Sequence, residues 1–125
     1  MPSEKRRYLI ADDNRALAEN LAEIMRDLGD EVCIANDGAD ALRLIRANKF
    51  DALLTDMRMP LMGGAALIKA IRGADPDLPV VVMTAYTGES DLDDARHSGV
   101  LAVLPKPVPI PLMLTLVSGA RRVAP

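Results

Sequence analysis

Aromatic side chains are nearly missing from this 125-residue chain: there is no tryptophan, and Tyr8, Phe50 and Tyr86 are the only aromatic residues apart from His97. The core must therefore be built from Leu, Ile, Val, Met and Ala, and nothing suits the stacking of nucleic-acid bases. Cys33 is the single cysteine. That excludes an intramolecular disulfide and a Cys-rich metal site, and it fits a reducing, cytoplasmic location. Basic residues cluster only in the short Lys5, Arg6, Arg7 run and the net charge is −3, which argues against direct binding of nucleic acid. No stretch approaches the roughly 18 apolar residues of a membrane span, and Met1 to Arg7 leads into a strand rather than a signal-peptide core. No membrane association is expected. Linkers, internal repeats and low-complexity tracts are also missing. The expectation is one domain over residues 1–125, with no output domain in this chain.

What is present is an alternation of short apolar runs with helix-length amphipathic stretches, repeated five times, which reads as βαβ units. Strands are predicted at Tyr8 to Ala11, Glu31 to Ala35, Ala52 to Thr55, Val80 to Thr84 and Val100 to Leu104. Leu53-Leu54, Val80 to Val82 and Leu101 to Leu104 are apolar without alternation, as in a parallel sheet covered on both faces. Leu17, Leu21, Ile24, Met25 and Leu28 form one helical stripe, which Gly29 closes. A second helix is expected from Gly38 to Asn48, with Ala41, Leu42 and Ile45 inward. A third runs from Gly64 to Arg72, with Leu67, Ile68 and Ile71 inward. A fourth, poor in apolar residues, is predicted from Glu89 to Ser98. The last, Ile110 to Arg122, is apolar on more than one face, and the excess points to a protein contact, either a homodimer or an effector protein. Cys33 reads as a small buried group and the methionines as core filler.

Functional groups of an open parallel sheet gather at the carboxyl ends of its strands. Here those ends carry Asp12-Asp13, Asp56, Thr84 and, after the fifth strand, Lys106. Forty-four positions separate Asp12 from Asp56, twenty-eight more lead to Thr84 and twenty-two more to Lys106, all compatible with whole strand-helix-strand units. Three carboxylates at one edge repel one another unless a cation compensates, and a hard cation such as magnesium takes carboxylates together with phosphate oxygens. Phosphoryl transfer needs a nucleophile, charge neutralisation and positioning. Asp56 fits the nucleophile, Asp12 and Asp13 with Asp56 the metal ligands, and Lys106 and Thr84 the partners of the phosphoryl oxygens.

Together, Asp12-Asp13-Asn14, Asp56-Met57-Arg58-Met59-Pro60 with Gly63-Gly64, Met83-Thr84-Ala85-Tyr86 and Lys106-Pro107 resemble the response-regulator receiver family, in order and across essentially the whole chain. The resemblance implies a three-layer α/β/α, doubly wound, flavodoxin-like fold with a five-stranded parallel sheet in the order 2-1-3-4-5. It implies a regulatory phosphoacceptor, not an enzyme acting on a separate substrate, that works in two-component signalling. The phosphoryl donor would be a phosphohistidine on a histidine kinase or histidine phosphotransfer protein, and the metal Mg2+, with Mn2+ as a substitute. Phosphorylation of Asp56 would change the surface around the fourth helix, fifth strand and fifth helix. A cis peptide between Lys106 and Pro107, orienting the lysine, is also implied. Arg58 and Tyr86 stand where the family tunes loss of the phosphoryl group.

Each residue also has a plainer reading. Asp12 and Asp13 suit a helix cap, Asp56 a turn before Pro60, Thr84 a strand end and Lys106 a solvated loop; only their joint placement promotes them. His97 is assigned no role. One departure is notable: the family carries Phe or Tyr three residues before its lysine, and this chain has Val103. Tyr86, or the connection containing Pro105, Pro107, Pro109 and Pro111, would have to take over part of the switching. The competing function is a phosphorylation-independent interaction module with a receiver fold. A metal-dependent phosphohydrolase would want a second acid where Arg58 stands, and a nucleotide-binding fold lacks its Gly-rich phosphate loop.

Overall fold

A computed structural model describes residues 5–57, 59, 62, 64–85, 96 and 99–120. In chain order the elements are β1 (Arg7–Ala11), α1 (Arg15–Asp27), β2 (Glu31–Ala35), α2 (Gly38–Ala47), β3 (Ala52–Asp56), α3 (Gly64–Ala74), β4 (Val80–Thr84), β5 (Ala102–Pro105) and α4 (Ile110–Gly119). The strands form one parallel sheet in the order β2-β1-β3-β4-β5, the order implied by the resemblance. The helix expected from Glu89 to Ser98 lies outside the described residues, apart from Arg96.

The unbroken apolar strands follow from the pleat, which sends successive side chains to opposite faces. Leu9, Ala11, Leu53, Val80 and Val82 join one core with Ala41, Leu42 and Ile45 of α2 and Leu67, Ile68 and Ile71 of α3. Tyr8, Ile10, Leu54, Val81 and Met83 join the other with Ala18, Leu21, Ala22 and Met25 of α1 and Met113 and Val117 of α4. Both faces are thus covered, and β3 and β4 are buried along their whole length. Each fully buried Leu or Ile contributes roughly 1.5–3 kcal/mol by leaving water.

Several boundaries differ from the sequence reading. Leu28 is not part of the α1 stripe: it caps the helix, donates its N–H to Met25, and is 63% exposed. The helix has ended there, and Gly29, at φ 97, turns the chain into a left-handed conformation open to glycine. Cys33 is only partly buried, because β2 is the sheet's edge strand. α2 stops at Ala47, where Asn48 turns extended and caps it, whereas α3 continues to Ala74. β5 starts at Ala102 rather than Val100, leaving Leu101 46% exposed. α4 ends at Gly119, because Ala120 is extended at ψ 139; Arg121 and Arg122 lie outside the described residues. The surplus apolar surface of α4 is there, with Leu112 48% exposed.

Two contacts fix the sheet's carboxyl edge. Asn14 caps α1, its side-chain oxygen accepting from Leu17 N–H at 3.1 Å, so the chain turns away from the sheet immediately after Asp13. The backbone N–H of Asp12 still donates to Ala35 of β2 at 3.1 Å, which holds Asp12 in line with the strand.

Candidate functional site

Asp12 follows the end of β1, Asp56 ends β3, Thr84 ends β4 and Lys106 follows β5. Since β1, β3, β4 and β5 are consecutive neighbours in the sheet, strand pairing alone brings these residues to one edge. Registers sharpen the placement: Ala11 pairs with Thr55, Asp56 with Met83, and Thr84 with Pro105. Carboxylate oxygens of Asp12, Asp13 and Asp56 all lie within 4.8 Å of one another. Asp12 is fully buried, Asp56 and Thr84 are buried, and Asp13 is exposed. The arrangement is a buried floor with one carboxylate open to solvent.

Lys106 enters this cluster from the far side. Its Nζ donates to Asp12 Oδ2 at 2.9 Å and lies 3.1 Å from Asp56 Oδ2. Burial alone would lower the pKa of the Lys106 ammonium, but the hydrogen bonds and charges of Asp12 and Asp56 together outweigh it, and the net shift is upward. The lysine is therefore held charged. Among the described residues, three carboxylates against one ammonium leave a formal excess of two negative charges. All the candidate ligand atoms are hard oxygens, so the residues fit a divalent cation of the magnesium or calcium kind.

Backbone contacts hold these groups in place. Lys106 N–H donates to Thr84 C=O at 2.9 Å and Met57 N–H to Met83 C=O at 3.1 Å. Asp12 Oδ1 accepts the N–H of Asn14 at 2.9 Å, leaving Oδ2 to the lysine. The Lys106–Pro107 peptide is cis. Val103 sits opposite Val82 in the register and packs, partly buried, against the core shared with α2 and α3. Arg58 and Tyr86 lie outside the described residues. The sequence reading missed the direct pairing of Lys106 with Asp12, two residues ninety-four positions apart. Strand-end placement puts both at the edge, but nothing in the spacing says which carboxylate the ammonium meets.

A family model described as the response regulator receiver domain matches residues 8–118. The chain belongs to this family. As a receiver domain of two-component response regulators, it is 60% identical over 111 residues to a response regulator receiver protein of Anaeromyxobacter sp. (strain Fw109-5). That match covers 89% of the chain and 47% of the relative, so the chain spans about half the relative's length. Among solved structures, the receiver domain is similar to a response regulator receiver protein from Pseudomonas putida, with a TM-score of 0.88 and 28% identity, covering 94% of this chain and 98% of that one. It is also similar to a Burkholderia pseudomallei response regulator solved with a phosphorylated aspartic acid, a calcium ion and citrate. There the TM-score is 0.83 and the identity 27%, over 90% of this chain and 66% of that one. Among the described residues, no helix is long and apolar enough to cross a membrane.

Proposed function

We propose that this receiver domain accepts a phosphoryl group on Asp56 from a phosphohistidine of a histidine kinase or histidine phosphotransfer protein. The observation that carries the reading is the position of Lys106 Nζ, 2.9 Å from Asp12 and 3.1 Å from Asp56, inside a cluster of three carboxylates. A carboxylate oxygen of Asp56 attacks phosphorus while the P–N bond of the donor breaks and its electron pair returns to the imidazole. Lys106 stays charged throughout and is free to exchange a carboxylate oxygen for a phosphoryl oxygen. The Thr84 hydroxyl donates to another, and the tie between the Lys106 N–H and the Thr84 carbonyl keeps the two donors in step. Asp12, Asp13 and Asp56 would hold Mg2+, with Mn2+ as a substitute, and the ion would supply positive charge to offset that of the transferred group. The Burkholderia relative, with its phosphorylated aspartate and calcium, supports both halves of this reading.

In this role the domain is a regulatory acceptor and not an enzyme with its own turnover. Residues 1–125 act as one receiver unit in the cytoplasm, where Cys33 stays reduced. The apolar surface of α4 is its contact with a second copy or an effector protein, and it binds neither nucleic acid nor membrane directly. With Val103 in place of an aromatic, the response to phosphorylation is carried by Tyr86 or the proline-rich connection after β5, and Arg58 and Tyr86 set the lifetime of the phosphoryl group. A phosphorylation-independent module is not favoured, since it would have no need of a buried carboxylate pair bridged by a lysine.

The test is incubation with Mg2+ and acetyl phosphate followed by mass measurement. The parent should gain one phosphoryl group and Asp56→Asn none; an unmodified parent, or an equally modified Asp56→Asn, would sink the reading.

A further inference from the structure

Met62, which lies between Asp56 and α3 in the chain, meets a helix that contributes nothing to the carboxylate cluster. Gly38, the first residue of α2, is buried, and it faces Met62, two residues before α3 begins. A Cβ placed on Gly38 would lie 2.6 Å from the Met62 carbonyl oxygen, 2.7 Å from its Cβ and 3.0 Å from its Cγ. The nearest of these atoms is backbone, so it cannot swing aside as a flexible side-chain tip would, and even an alanine would force Met62 outward.

The contact has a firm base on both sides. The start of α2 is fixed by its cap, with Asp37 Oδ1 accepting the N–H of Asp40 at 2.8 Å. The next inward residues, Ala41 and Leu42, are buried in the core against which Met59 and Met62 pack. At its other end, the connection is fixed by the bond from Met57 N–H to Met83 C=O. The chain leaving the acceptor is therefore held at two described points, Met57 against β4 and Met62 against α2.

We infer that Gly38 is a positioning residue for phosphoryl transfer: the closeness of its bare Cα to Met62 sets how Met62 packs on the core that holds Met57, the residue next to Asp56. This rests on Asp56 being the acceptor. A side chain at position 38 displaces Met62 by the better part of an ångström. Met57, the neighbour of Asp56, is buried in the same core that Met62 packs against, so the displacement is passed by side-chain packing toward the acceptor carboxylate. Errors of this size, made away from the reacting atoms, can slow a reaction by up to about a hundredfold.

The experiment follows the rate of phosphorylation by acetyl phosphate and Mg2+ in the parent, Gly38→Ala, Met62→Gly and Val117→Ala, with denaturant stability measured for each. Val117 is buried in the opposite core, on α4, so its alanine variant controls for general loosening. Gly38→Ala should lower the rate at saturating donor by about tenfold or more, leaving the half-saturating donor concentration little changed, while Val117→Ala keeps the parent's rate. Met62→Gly removes the Cβ and Cγ of the contact, leaves the carbonyl oxygen and adds no atom, and it should slow the reaction even if Gly38→Ala does not fold. Parent-like rates in Met62→Gly and in any folded Gly38→Ala, or equal slowing in Val117→Ala, overturn the inference. A parent that takes up no phosphoryl group overturns the assignment of Asp56 itself and this inference with it.

Discussion

Lys106 donates its backbone N–H to the carbonyl oxygen of Thr84 at 2.9 Å, so the ends of β4 and β5 move as one piece. The same lysine sends its side chain across β3 to β1, meeting Asp56 and then Asp12. One residue thereby links four strand ends, and among the described residues its ammonium is the countercharge of the cluster. Removing it isolates a fully buried carboxylate. Lys106→Met should lower metal-free stability by about 3 kcal/mol, the scale for breaking a buried ion pair from one side, and added Mg2+ should restore part of the loss. Urea unfolding with and without Mg2+ measures both. A variant as stable as the parent would mean that the pair contributes nothing.

The excess negative charge makes the folded state a better metal ligand than the unfolded chain. Under the proposed assignment, Mg2+ at a hundredfold excess over its Kd should stabilise the parent by about 2.7 kcal/mol, seen as a rise in Tm. Asp13→Asn should abolish most of that rise without unfolding the protein, because Asp13 is exposed and adds to the repulsion within the cluster. A full metal response in Asp13→Asn would remove that residue from the ligand set.

The convergence of Asp12, Asp56, Thr84 and Lys106 was legible because in a parallel sheet strand ends face one way whatever the loops do, whereas the sheet order came from the family resemblance alone. Contacts made by rotamers and by close approach were not. Asp12 carries the lysine on Oδ2 and the Asn14 N–H on Oδ1, a division that no spacing encodes. The fit of Gly38 against Met62 leaves in the sequence only a glycine at a helix start, which a cap alone would explain. Leu28 shows the opposite failure: its spacing matches the α1 stripe, but periodicity cannot show that the helix has already ended. Cys33 was misjudged because burial of β2 depends on its being an edge strand, which is a property of the whole sheet.

At the other end of β1, Tyr8 is buried, and its pKa lies above the ordinary 10.0. Burial is the main cause, reinforced by the charge of Asp30 and opposed by Arg6. Below pH 10.0 the phenol is neutral in both states and costs nothing. Above it the unfolded chain loses the proton first while the native state retains it, so stability falls as pH rises from about 10 through the folded-state pKa. Tyr8→Phe should therefore flatten the alkaline limb of a stability–pH curve. Some slope should remain, since Lys106 is shifted upward from 10.5 and acts in the same direction. An alkaline limb identical to the parent's would show that Tyr8 titrates alike in both states.

Along α4, adjacent apolar residues have opposite surroundings. Met113 is fully buried against the core shared with α1, whereas Leu112 is 48% exposed. Composition does not separate the two, since nearly every residue of Ile110–Gly119 is apolar or small. Packing does. Met113→Ala should cost about 2–5 kcal/mol, the range for emptying a core site, while Leu112→Ala should stay within about 0.5 kcal/mol. Urea unfolding at low protein concentration reads both values. If Leu112→Ala instead costs stability in proportion to protein concentration, the exposed face of α4 is covered in solution by a second copy, because only a contact between chains makes unfolding depend on concentration.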